Sequence, residues 1–144
     1  MRVKEILRVK GNRLLSVGPD DRVAEAVKTM AEQNLGSLIV LDEGRMLGIL
    51  TFHEIMQALA ARQGTLGELR VRDAMERDPV TTSPDMEVNE LRRTMLESGA
   101  RYLPVVQGGR LLGVISFRDV AKAVLEEQDF ENRMLKGYMK ESPA

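Results

Sequence analysis

The 144-residue chain contains no cysteine and no tryptophan, and aromatic residues make up only 3% of it. Without cysteine there can be no disulfide framework, thiolate zinc site, iron–sulfur cluster or cysteine nucleophile. A single histidine offers a metal no second imidazole. Basic and acidic residues nearly cancel, 21 against 22, and no block of like charge occurs. With so few aromatic rings the chain therefore has neither the basic stripe nor the stacking platform of a nucleic-acid binder. Apolar runs such as Leu38-Ile39-Val40-Leu41 fall far short of the roughly 20 residues that span a bilayer, so no membrane association is expected. The N-terminus, Met1-Arg2-Val3-Lys4-Glu5-Ile6, places an acid at position five and has no apolar stretch of signal-peptide type behind it, which makes the cytoplasm the expected compartment. Phosphate-loop and nucleophile-elbow patterns are also missing, and the chain reads as a non-enzyme.

What is present is an ordinary soluble composition, 43% hydrophobic and 30% charged, in a length that suits one domain or two small halves sharing a core. Those halves are visible in the sequence. A shift of 65 lays residues 19–55 over 84–120 without a gap, and 14 of the 37 positions are identical, among them Pro19/Pro84, Asp20/Asp85, Val23/Val88, Met30/Met95, Leu38/Leu103, Gly48/Gly113 and Phe52/Phe117. Upstream the match resumes after a skip of three residues, with Val3–Leu7 over Val71–Met75, so that an inserted loop is expected near Lys10–Arg13.

Each copy carries the same periodicities. Val23, Ala26, Val27 and Met30 form one stripe of a helix that Pro19-Asp20-Asp21 would open with an acidic cap, and Val88, Leu91 and Met95 repeat it. Apolar runs at 37–41 and 46–50, and again at 102–106 and 111–115, flank the turn sequences Asp42-Glu43-Gly44-Arg45 and Gln107-Gly108-Gly109-Arg110, which is a hairpin pattern. Helical spacing returns at Phe52, Ile55, Met56 and Leu59 and at Val120, Val124 and Leu125, and short strands at Leu14–Val17 and Val80–Thr82 precede each set. The expectation is a mixed α/β (α+β) chain: a first repeat over 1–64, a joint at Gly64-Thr65-Leu66-Gly67, a second repeat over 68–125 and a helical tail over 126–144. A unit of about 60 residues cannot cover its own apolar stripes, so two β-α-β-β-α repeats should pack about a pseudo-twofold axis and leave clefts between them.

At the junction of hairpin and following helix stand Gly48-Ile49-Leu50-Thr51-Phe52-His53-Glu54 and Gly113-Val114-Ile115-Ser116-Phe117-Arg118-Asp119. Thr51 with Glu54, and Ser116 with Asp119, have capping-box spacing, which by itself accounts for the residue types. The same geometry also makes an anion site, because free amides and a hydroxyl at a helix N-terminus suit a phosphate and a nearby acid accepts hydrogen bonds from a ribose diol. His53 and Arg118 precede the two acids, and Arg101 precedes the strand Tyr102–Val106, where a guanidinium would suit phosphate; the bland reading of each is a solvated surface residue.

The double pattern resembles the cystathionine-β-synthase (CBS) domain pair, or Bateman module, over residues 3 to about 125, and is similar to its small stand-alone bacterial members. The resemblance implies a regulatory module whose clefts bind adenosine-containing ligands such as AMP, ADP, ATP, NAD or S-adenosylmethionine, with no cofactor required. Carried over, it implies Asp119 for the ribose and Ser116 and Arg118 for the phosphate, with Arg101 as a further phosphate partner. It also implies Val80, Thr81, Tyr102 and Pro104 around the adenine. Thr51, His53 and Glu54 would be the first-repeat counterparts, but Glu54 departs from the usual aspartate. Glutamate is the better capping-box acid, so unequal sites are expected. Phe130, Met134 and Tyr138 recur every four residues in the tail, a face that either folds back or meets a partner. Two readings follow. One is a homodimeric nucleotide sensor that signals to a regulated protein; the other is an interaction module whose clefts are vestigial and whose motifs are caps.

Overall fold

A computed structural model describes residues 1–10 and 14–141, with side chains as far as Gly137. The chain order is α1 (Val3–Lys10), β1 (Ser16–Val17), α2 (Val23–Gln33), β2 (Ser37–Asp42), β3 (Arg45–Thr51), α3 (Phe52–Ala61), α4 (Val71–Ala74), β4 (Glu76–Arg77), α5 (Val88–Ser98), β5 (Tyr102–Gln107), β6 (Arg110–Ser116) and α6 (Phe117–Glu141). The loop expected near Lys10–Arg13 and the last residues of the tail lie outside the described residues, as do the side chains of Tyr138 and Met139.

The two hairpins are copies of one another. Glu43 and Gly44 have φ of 50° and 78°, and Gly108 and Gly109 have 57° and 78°. Positive φ at both central residues is the type I′ turn, whose twist matches that of paired strands. Both ladders slip by one residue at the same place, between Val40 and Leu41 and between Val105 and Val106. Beneath the hairpins lie two cores. Val23, Ala26, Met30, Leu38, Val40, Leu50 and Ile55 pack with Val71 and Met75, and Val88, Leu91, Met95, Leu103, Val105, Ile115 and Val120 pack with Val3, Ile6 and Leu7.

Each core thus takes its closing helix from the far side of the joint. Backbone bonds fasten the exchange in equivalent positions: Val23 N donates to Leu69 O and Val71 N to Asp21 O, while Val3 N donates to Met86 O and Val88 N to Met1 O. This reciprocity gives the two halves their two-fold relation and makes neither core complete alone. The acids before α2 and α5 do not cap them, contrary to the pattern's expectation. The N-cap residues are Arg22 and Glu87, neither with a side-chain cap bond, and Asp21 Oδ2 instead accepts from Gly18 N.

Two departures from symmetry matter for the site. Ile39 N donates to Leu15 O, so β1 joins the sheet; the counterpart of Ile39 is Pro104, which has no N–H to give to Val80. The strand expected at Val80–Thr82 accordingly shrinks to a single bridge between Thr82 and Val105. The other departure follows the exchanged helices. After four residues α4 stops and the chain becomes β4, which pairs with β3, whereas α1 runs on to Lys10. Gly48 accommodates β4, since a Cβ there would lie 2.2 Å from the Glu76 carbonyl oxygen. At the equivalent Gly113 the neighbour is the end of the Leu7 side chain, at 2.9 Å.

Among the described residues the tail does not fold back. α6 runs unbroken to Glu141 through Gly137, and Leu125, Phe130, Met134 and Leu135 are all about 60% exposed.

Candidate functional site

Because each strand alternates its side chains between faces, Leu38 and Val40 serve the core while Ile39, on the other face, lines the space between the halves. Between the halves opens a cleft of about 780 Å³. Its rims are the equivalent loops 34–37 and 99–102, and Phe52, Phe117 and Leu96 stand exposed along it. The loops come close: a Cβ on Gly36 would collide with the Tyr102 hydroxyl, so only glycine lets that ring reach across.

The charged residues lining the cleft are Lys10, Arg101 and Arg118, and among the described residues no acid lines it. Ser116 and Tyr102 line it as well. Asp119 stands at its edge, where Oδ2 accepts from Ser116 N at 2.9 Å and from Lys10 Nζ at 2.6 Å. Ser116 Oγ in turn accepts from Asp119 N at 3.1 Å, so the box caps α6. Burial works to raise the Asp119 pKa, but the Lys10 ammonium and the Ser116 amide and hydroxyl outweigh it and hold the carboxyl below its ordinary 3.8. For Tyr102, burial and the Asp119 carboxylate push the phenol up from 10.0, against the pull of Arg101.

The first-repeat motif is arranged differently. Glu54 is buried, and its Oε1 accepts from both Thr51 N, at 2.8 Å, and Thr51 Oγ1, at 2.6 Å. Thr51 Oγ1 itself accepts from His53 N at 3.2 Å. The extra methylene lets the carboxylate turn back onto its own cap, and none of Thr51, His53 and Glu54 lines the cleft.

Of the second-repeat candidates the cleft gathers Arg101, Tyr102, Ser116 and Arg118, with Asp119 adjoining. Val80, Thr81 and Pro104 are not among the lining residues. Pro104 is buried with its carbonyl bonded to Thr82 N, and Val80 and Thr81 are exposed beside it because no ladder bond draws them in. The pattern of the motifs did not point to Lys10, Leu14, Leu15 or loop 34–37. The repeat carried a signal for the loop, which is the counterpart of 99–102; for Lys10 the only trace was the three-residue skip that follows it.

Fold and site together define a tandem-repeat module, two α/β halves with exchanged helices around a cation-lined cleft. The family model for the CBS domain matches residues 3–61 and 71–126, and the chain belongs to the CBS-domain family as a tandem pair. It is 35% identical over 124 residues to an uncharacterized 17.7 kDa protein of Acidianus ambivalens, covering 85% of this chain and 74% of that one. A CBS-domain-containing protein from Agrobacterium tumefaciens superimposes with a TM-score of 0.82 at 33% identity, over 85% of this chain and 98% of that one. The CBS domain pair of the protein MJ0100, solved in complex with 5′-methylthioadenosine and S-adenosyl-L-methionine, superimposes with a TM-score of 0.78 at 24% identity, over 88% and 98% of the two chains. Among the described residues no helix is long and apolar enough to cross a membrane, and no group of His, Cys, Asp and Glu is placed to hold a metal.

Proposed function

We propose that this CBS pair is a regulatory sensor that binds one adenosine nucleotide per chain in the cleft between its halves and signals through their relative position rather than by catalysis. The observation that carries the reading is the lining of the cleft. Three cations and a helix N-terminus face apolar and aromatic side chains from both halves, the chemistry that suits a phosphate at one end and a base at the other. Asp119 accepts the ribose hydroxyls, Ser116, Arg118 and Arg101 take the phosphate, and Tyr102 lies against the base. The presence of two adenosine derivatives on the MJ0100 pair supports the ligand class.

A ligand touching both halves favours whichever arrangement it binds more tightly, and each tenfold difference in affinity is worth about 1.4 kcal/mol of shift. The exposed residues of α6 support self-association as a homodimer and delivery of the signal to a regulated protein. Thermal shift with AMP, ADP, ATP, NAD and S-adenosylmethionine, followed by calorimetry, tests the proposal. A ligand at 100 times its Kd adds about 2.7 kcal/mol, which raises Tm by several degrees. No shift with any of them would leave an interaction module with a vestigial cleft.

A further inference from the structure

Lys10 closes α1, a helix that starts the first repeat in sequence and packs in the core of the second. Its Nζ donates to Asp119 Oδ2 at 2.6 Å and to the Val114 carbonyl oxygen at 2.8 Å, both in the second half. The ammonium therefore sits on the carboxylate to which the proposed function gives the ribose. It gets there because α1 continues past the point where α4 turns into β4. Asp78, the counterpart of Lys10, lies beyond that strand with φ of 49° and carries the opposite charge.

The side chains of the pair are only partly exposed, 36% for Lys10 and 22% for Asp119. A ribose diol that donates to Asp119 competes with Lys10 for the charge of one carboxylate, whose Oδ2 already holds the ammonium and the Ser116 amide. A neutral nucleoside that wins the carboxylate leaves the ammonium without its counter-charge in a cleft already lined by Arg101 and Arg118. Losing one partner of such a pair leaves the other charge uncompensated among like charges, a cost that solvent at a partly exposed site reduces. A nucleoside with an anionic 5′ group supplies a replacement counter-charge as its ribose takes the old one.

We propose that Lys10 is a specificity-determining residue of this cleft beside Arg101 and Arg118: it exchanges Asp119 for the anionic 5′ group of the incoming nucleotide and so adds to the selection of nucleotides over neutral nucleosides. The inference rests on the reading of the cleft as an adenosine-nucleotide site. It also places the exchange at the C-terminal end of a helix anchored in the core through Val3, Ile6 and Leu7, so that binding acts directly on the element the two halves share.

The test compares AMP with adenosine by calorimetry on the full chain, as wild type, Lys10→Met and Lys10→Arg, while carbon-detected NMR follows the Asp119 carboxyl through its titration. Wild type should prefer AMP by at least about tenfold, the scale of one charge-assisted bond. Lys10→Met should shrink the preference by at least about threefold, mainly by weakening AMP, with Arg101 and Arg118 keeping the remainder, and should raise the Asp119 pKa; Lys10→Arg should keep the preference. An unchanged preference in Lys10→Met, with the Asp119 pKa raised, would show that the pair forms but does not select, and the proposal would fall. An unmoved pKa would overturn the pairing itself. If wild type binds neither compound while the pKa still responds to Lys10→Met, it is the nucleotide reading of the cleft that fails, and the selectivity with it.

Discussion

The two hairpin-to-helix junctions begin from one motif and end in different chemistry. In the first, Glu54 is buried and spends one oxygen on two bonds to Thr51 of its own turn. In the second, the shorter Asp119 also bonds within its own turn but is not closed off there. It takes the Ser116 amide and presents the same oxygen to Lys10 from another helix. One methylene and the longer reach of α1 thus separate an acid satisfied within its own turn from one that answers to a distant part of the chain. A capping box alone therefore does not mark a binding site, and what its acid meets outside the turn has to be known.

The largest expected effect breaks the likeness of the two halves through their glycines. Gly48→Ala drives a Cβ into the Glu76 backbone carbonyl and should cost about 3 kcal/mol, while Gly113→Ala meets only the tip of Leu7 and should cost about 1 kcal/mol. Urea midpoints at unchanged m-value measure both. Next come the two acids. Glu54→Ala strands a buried hydroxyl and amide and should lose about 1–2 kcal/mol with nucleotide affinity unchanged. Asp119→Ala should lose about 1 kcal/mol of stability and at least about tenfold in affinity. Affinity falling equally in both variants would erase the distinction between the junctions.

The smallest effect lies in the pH dependence. Because the folded pKa of Asp119 is held below 3.8, its pairing stabilises the protein above about pH 4, and the contribution is lost as pH falls through the folded value. For a partly exposed pair it should amount to less than about 1 kcal/mol. Denaturation curves for wild type and Lys10→Met should therefore differ at pH 6 and converge toward pH 2.

The last helices extend the contrast. α3 ends at Ala61, and its C-cap Arg62 and the left-handed Gln63 and Gly64 lead into the joint. α6 meets no such break and continues to Glu141, with Phe130, Met134 and Leu135 exposed among charged residues.

Much of this was legible in the residues alone. The 65-residue repeat, the I′ turns at Glu43-Gly44 and Gly108-Gly109, the alternating hairpins and the stripes of α2 and α5 follow from local propensity and hydrophobic period, which neighbours in sequence supply. The difference between Glu54 and Asp119 could also be foreseen, because a side chain's length bears on its own turn. Other features were decided by contacts between distant segments. That α1 and α4 trade places, that Pro104 denies Val80 a ladder bond, and that Lys10 arrives at Asp119 from 109 residues away are of this kind. Periodicity says which face of an element is buried. It does not say against what, because that choice belongs to the packing of the whole chain.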